Sequence, residues 1–485
     1  MRNSLVILSS WATTVALVTG QCVPTPGKDG RYTIESDGIK AQFIPYGATL
    51  TNLWVKDKNG ENVDIVLGYD NASYYPVDPS HPVLNAIPGR YVNRIGKATY
   101  SIDGELFSTE KNDGENTLHS GTNNWSFRFW NVTEVTATSI TFGILDKSNS
   151  SQGMLGDVHA QVKYSVEGGT WKINMEATAP DTKTPLMLTQ HTYFNLDAYR
   201  DPAGPKIWNH TLHVPYSSRY LENDDGALPT GRILTAAPGS INDFASEPDI
   251  LLGRSRDDPA FPGNCGAGGQ CEGYNGFWLI DDAPEGAVVA TLASEYSGVK
   301  AELRTDQLGM QIYTCNWFDG TSPLKSTQGT EDVKIVGRSS CIAIEAHDYT
   351  DGINHVVSLR VSLASRLARL PALPLSLAAL GMAWRGTATK PINVFAAEHN
   401  WMLTAQPASV KANEEVGMLA PSPPEVPCAN SPSRYMYHTV TTFMLYKFPV
   451  PRHSFPGLYS QGPRRVLPQR EKKGNTCSRE RRMNW

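Results

Sequence analysis

A chain of 485 residues, 40% hydrophobic and 19% charged, is long enough to bury a sizeable core and has the composition of an ordinary soluble globular protein. Its formal net charge of -5 provides no basic footprint for nucleic acid or an anionic membrane, which leaves small neutral partners open. Seven cysteines are too few and too scattered for a disulfide scaffold, and none has the spacing of a zinc ligand.

The chain opens with MRNSLVILSSWATTVALVTGQCVP, in which a basic Arg2 precedes an apolar run from Leu5 to Val18 and small residues lead to Gln21. Residues 1–20 read as a secretory signal peptide, too short and too polar for a membrane anchor, so the expected location is extracellular. In that compartment Asn71, Asn124, Asn131, Asn149 and Asn209 become glycosylation acceptors through their N-x-Ser/Thr sequons.

From about residue 30 to 350 the texture is uniform. Alternating segments such as AQVKYSVEGGTWKINMEAT and VVATLASEYSGVKAELRTD are separated by Gly, Asn or Asp, the residues hairpin turns require. No long amphipathic helix interrupts them. So many strands without helical crossovers predict an all-β fold, a large antiparallel β-sandwich over residues 21–355.

Six segments within that domain carry polar chemistry. GRYVNRIG (89–96) sets Asn93 and Arg94 beside a turn, an amide and a planar fork of donors suited to sugar hydroxyls or a carboxylate. NDGENTLHSG (112–121) holds His119 among turn formers, so its imidazole is expected to project from a strand end into a cleft. LTQHTYFNL (188–196) reads as a strand with Leu188, Gln190, Thr192, Phe194 and Leu196 on one face and Thr189, His191, Tyr193 and Asn195 on the other.

CGAGGQC then brackets a glycine-rich loop, which makes Cys265 and Cys271 the pair best placed for a disulfide, followed by EGYNGFWLI with Asn275. GMQIYTCNW (309–317) puts Gln311, Tyr313, Cys315 and Trp317 on one strand face. In CIAIEAHDYTDGINH (341–355) the strand period gathers Cys341, Ala343, Glu345, His347 and Tyr349 on one face and Ile342, Ile344 and Ala346 on the other. A glutamate among Ile and Ala is costly to bury unless it is paired or functional, which marks Glu345 as a site residue. Cys315 and Cys341 lie in apolar strands and read as buried thiols.

In this order, "GR..NRI", "N.LH.G" followed by FRFW, "T.H.YFNL", "GMQIYT.N" and the glutamate strand ending in "D..NH" resemble the aldose 1-epimerase (galactose mutarotase) family over residues 30–355, in its secreted, fungal-type form. The resemblance implies a β-sandwich with a sugar cleft on one sheet. It also implies interconversion of the α and β anomers of free aldoses such as glucose and galactose, with no metal or cofactor. Carried across, the general base falls on Glu345 and the general acid on His191, with Glu345 ionised and His191 charged at working pH. His119, Asn93, Arg94 and Gln311 match sugar-contacting positions. Asn275 stands where family members often carry an aspartate, an uncharged substitute that leaves a hydrogen-bonding group in place.

Two other readings compete. A glycoside hydrolase or lyase on a similar sandwich would need, as hydrolases do, two carboxylates about 5 to 9.5 Å apart, whereas here one strong carboxylate is grouped with histidines. A non-catalytic carbohydrate-binding member of the same fold fits the neutral Asn275.

Beyond His355 the texture changes. Residues 356–434, Leu/Ala/Ser-rich and then Pro-rich, read as an insertion or disordered segment, with Val356 at the break. YMYHTVTTFMLYKF (435–448) reads as a final strand displaced by it. Residues 449–485 read as a basic disordered tail, with eight Arg or Lys against two Glu between 464 and 482.

Overall fold

The computed structural model describes residues 25–80, 82–150, 153–265, 271–355 and, as backbone, 395–407. Among these residues there are strands and five short 3-10 turns but no α-helix, so the all-β expectation holds.

Two large sheets organise the chain. The nine-stranded sheet runs Ile250–Leu251, His210–His213, Ala290–Ser294, Val299–Thr305, Phe395–Pro407, Thr170–Ala179, Val158–Glu167, Ser139–Asp146 and Asn131–Val135. The six-stranded sheet runs Tyr193–Phe194, Ile342–His347, Gly309–Tyr313, Asn275–Leu279, Arg219–Asn223 and Pro229–Thr235. A four-stranded sheet of Tyr32–Ser36, Ile39–Ile44, Thr49–Lys56 and Asn62–Asp64 completes the main body.

Strict alternation in Val158–Glu167 sends Val158, Ala160, Val162, Tyr164 and Val166 inward and leaves the intervening side chains at or near solvent. Val162, Tyr164, Ile173 and Met175 of the large sheet share one apolar core with Trp278, Met310, Ile312, Ile342 and Ile344 of the six-stranded sheet. That core consumes one face of the six-stranded sheet. The other face is therefore free to carry polar groups.

Three sequence expectations change at this level. LTQHTYFNL forms a ladder only at Tyr193–Phe194, because the backbone before it bonds to an irregular segment instead: Asn85 N donates to His191 O (3.0 Å) and His191 N to Ala86 O (3.1 Å). Cys315 and Cys341 are not thiols but a disulfide with a Cα–Cα distance of 5.5 Å. Tyr313 pairs with Ala343 in the antiparallel register, and two further residues outward along each chain bring the two cysteines opposite one another. Cys315 then turns into the left-handed region (φ 55), which ends the strand, and Trp317 folds back to stack on Tyr313 with ring centroids 5.5 Å apart. Cys265 and Cys271 are also joined, at a Cα–Cα distance of 6.1 Å.

The third change lies in the segment read as an insertion or disordered. Within it, Phe395–Pro407 is a strand that pairs with Thr170–Ala179 on one side and Val299–Thr305 on the other. Its ladder satisfies two strand edges that hydropathy patterning did not reveal as neighbours. The expected strand at 435–448, the signal peptide and the basic tail lie outside the described residues. Of the sequon residues, Asn71, Asn131, Asn149 and Asn209 are exposed. Asn124 is buried, with Nδ2 donating to Gly121 O at 3.0 Å, so it is not an acceptor in the folded chain.

Candidate active site

The polar face of the six-stranded sheet is assembled by register. Gln311 lies opposite Glu345, Phe277 opposite Gln311, Gly309 opposite His347, and Asn275 opposite Tyr313. Because side chains alternate at a period of two, Asn275, Gln311, Glu345 and His347 project to the side away from Ile312, Ile342 and Ile344. Gly309 makes room for this arrangement: a Cβ there would meet the Phe277 ring at 2.3 Å.

Loops supply the remaining groups. His191 enters on the extended segment before Tyr193, and its Nε2 stands 3.2 Å from Glu345 Oε1. The His119 ring lies 5.4 Å, centroid to centroid, from the His191 ring, which also meets Tyr193 at 4.8 Å. Asn93 and His119 occupy the left-handed region (φ 59 and φ 50) and lock together: Asn93 N donates to His119 Nδ1 at 3.2 Å and His119 N to Asn93 O at 2.9 Å. A backbone N–H aimed at Nδ1 makes that atom an acceptor, so His119 presents Nε2–H as a donor. Arg94 is held by its Nε, which donates to Asp113 Oδ2 at 2.7 Å.

Amides link the sheet to these loops. Asn93 Nδ2 donates to Gln311 Oε1 (3.2 Å), Gln311 Nε2 to Asn275 Oδ1 (2.7 Å), and Asn275 Nδ2 to Cys265 O (3.4 Å). Asn93 Nδ2 also lies 3.4 Å from His347 Nε2. Glu345, His191, Asn93, Gln311, Asn275 and His119 are thus brought together around one floor, with Arg94 close enough that its charge favours the ionised form of Glu345.

Burial sets the protonation states. Glu345 is 2% exposed, and desolvation pushes its pKa up to about 8 against the smaller opposing pull of Arg94. Desolvation pushes His191 down to about 3 and His347 to about 4, and holds His119 well below the usual imidazole range. Burial therefore favours the neutral form of each partner, a carboxylic acid beside a neutral imidazole, over the ion pair expected from sequence. Its proton count is the same: one proton shared by two groups 3.2 Å apart. Moving it from Glu345 to His191 creates a carboxylate base and an imidazolium acid in one step.

A profile of the family described as aldose 1-epimerase matches residues 30–365, well over half of the chain. The chain belongs to the aldose 1-epimerase family. A probable aldose 1-epimerase from Arthroderma benhamiae is 34% identical over 360 residues, covering 67% of this chain and 80% of that protein. Galactose mutarotase from Sus scrofa is 28% identical over 337 residues, covering 70% of this chain and 90% of that protein. The fold is shared with the GalM/aldose epimerase homologue from C. elegans, at a TM-score of 0.61 and 23% identity over 78% of this chain and 99% of that one. It is shared too with galactose 1-epimerase from Lactobacillus acidophilus, at a TM-score of 0.57 and 17% identity over 79% and 97% of the two chains. As an aldose 1-epimerase by family, the chain is an isomerase that interconverts sugar anomers.

Sequence reasoning missed His347 as part of this site. The strand period placed it on the Glu345 face, which was the available signal, but its partners Asn93 and Phe277 come from distant segments.

Proposed function

We propose that Glu345 and His191 are the acid–base pair of anomer interconversion, acting on free aldohexoses of the glucose and galactose type. The observation that carries this reading is their 3.2 Å contact on a buried floor surrounded by Asn93, Gln311, Asn275 and His119. With the proton on His191, the Glu345 carboxylate removes the anomeric O1 proton while His191 donates to the ring oxygen. The C1–O5 bond breaks and C1 becomes an aldehyde carbon. Rotation about C1–C2 presents its other face, the ring hydroxyl attacks, and the two proton transfers reverse, so the pair ends as it began. The amides, His119 and Arg94 supply donors and acceptors for the remaining hydroxyls.

Polarimetry of freshly dissolved α-D-glucose and α-D-galactose tests this reading. The protein is expected to speed the approach to the equilibrium rotation, and Glu345→Gln to lower kcat by at least about 10²-fold, the usual size of a lost proton-transfer group. Sugar binding without acceleration by the folded wild-type chain would instead make it a carbohydrate-binding member of the family. Release of new reducing ends from a polysaccharide would point to hydrolysis.

Secretion is part of the same proposal. It is supported by two disulfides, which persist in oxidising compartments, and by the exposure of four sequon asparagines. Glycan on Asn71, Asn131, Asn149 or Asn209, with a processed N-terminus on protein recovered from the medium, is the outcome it requires.

A further inference from the structure

His347 has no part in the proton transfers above, yet it is fully buried within the sugar-binding floor. Its Nδ1 lies 2.6 Å from Asp348 O. A carbonyl oxygen only accepts, so Nδ1 carries the proton and the neutral ring presents Nε2 as an acceptor. That acceptor faces Asn93 Nδ2 at 3.4 Å, and the tilted Phe277 ring, 5.0 Å away between centroids, holds the imidazole plane.

The rest of the amide chain follows from this end. One Asn93 Nδ2 hydrogen goes to Gln311 Oε1 and the other to His347 Nε2. Both donors of the Asn93 amide are then used, and its Oδ1 is left as the acceptor for a ligand. At the far end Asn275 Nδ2 meets Cys265 O, another group that only accepts. Gln311 and Asn275 are thereby oriented in the same sense, each accepting through oxygen and donating through nitrogen. With its peptide already pinned by His119, Asn93 has neither backbone nor side-chain freedom to present its amide the other way round.

We propose that His347 is a positioning residue for sugar recognition: as a fixed acceptor it holds the Asn93 amide in the one orientation that offers Oδ1 to a sugar hydroxyl. The proposal rests on the reading of this floor as the aldose site. Without the acceptor, the Asn93 amide is held by Gln311 alone, its second N–H is left unpaired, and its Oδ1 is no longer fixed toward the sugar. The cost falls on binding more than on the proton transfers, which Glu345 and His191 perform.

The test is a double-mutant cycle on the full chain with His347→Leu, His347→Gln and Asn93→Ala, read by mutarotation of α-D-galactose. His347→Leu is expected to raise KM by about tenfold, the size of one net hydrogen bond, with kcat within about twofold of wild type. His347→Gln, whose side-chain oxygen can accept the same hydrogen, is expected to recover most of that loss. In the Asn93→Ala background His347→Leu is expected to change KM little further. An unchanged KM in His347→Leu, or an equal loss with and without Asn93, overturns the proposal.

Side-chain 15N NMR supplies a readout that needs no sugar. Wild type is expected to show an unprotonated His347 Nε2 whose shift moves in Asn93→Ala. The opposite tautomer, or an insensitive shift, overturns the proposal even if the chain turns out not to isomerise aldoses. An absence of mutarotation with the expected tautomer and Asn93 dependence instead overturns the functional reading alone.

Discussion

At the scale of single residues, the site is governed by what burial does to two groups with opposite charged forms. Desolvation raises Glu345 to about 8 and lowers His191 to about 3, so between those values the pair holds one proton. That proton is the one the proposed acid–base reaction needs. Above about 8 it leaves, His191 can no longer be an acid, and kcat/KM is expected to fall as pH rises through this value. The acid limb, where a second proton arrives and occupies the base, is expected far lower, toward about 3. A pH profile of kcat/KM from polarimetry, corrected for the uncatalysed rate, checks both limbs, and an acid limb near the ordinary imidazole value of about 6.5 would contradict this assignment. Glu345 was legible in the sequence because a carboxylate in an apolar strand demands an explanation. Its resting protonation was not, because desolvation depends on neighbours such as His191 and Tyr193 that lie far away in the chain.

At the scale of elements, the two strands carrying Gln311 and Glu345 are joined twice, by their ladder and by the Cys315–Cys341 disulfide just beyond it. The bridge closes a loop across a sequence separation of 26, for which chain-entropy arguments give about 3.5 kcal/mol. Replacing both cysteines by alanine is expected to lower unfolding stability by about that amount in a guanidinium titration. Activity at low denaturant should survive, because the ladder still sets the register of the two site residues. Strand periodicity revealed which side chains share a face in Gly309–Tyr313 and Ile342–His347. It did not reveal this disulfide, because pairing across a sheet depends on register between strands some thirty residues apart. In LTQHTYFNL the alternation was genuine but the partner was an irregular segment around Asn85 and Ala86, so a strand-like sequence produced an extended chain with only two ladder residues.

At the scale of the whole molecule, Phe395–Pro407 lies in the middle of the nine-stranded sheet, with four strands on either side. A chain ending after His355 would leave the edges of Thr170–Ala179 and Val299–Thr305 unpaired, each a template for aggregation. Such a truncation is expected to be insoluble or aggregated by size-exclusion chromatography, whereas a chain ending after Ser409 keeps the strand and is expected to stay soluble; equal behaviour of the two would show that the strand is dispensable. The sequence by itself determined the all-β architecture, through alternation and turn residues that act locally. It also marked Asn93, Arg94, His119, His191, Asn275, Gln311 and Glu345 by residue type and motif order. Only the tertiary structure decided the burial of Glu345 against His191, the amide chain from Asn93 through Gln311 to Asn275, the second disulfide and the strand after the break. Each of these depends on contacts between distant segments, and a linear pattern carries no record of which distant group removes the water or completes the hydrogen bond.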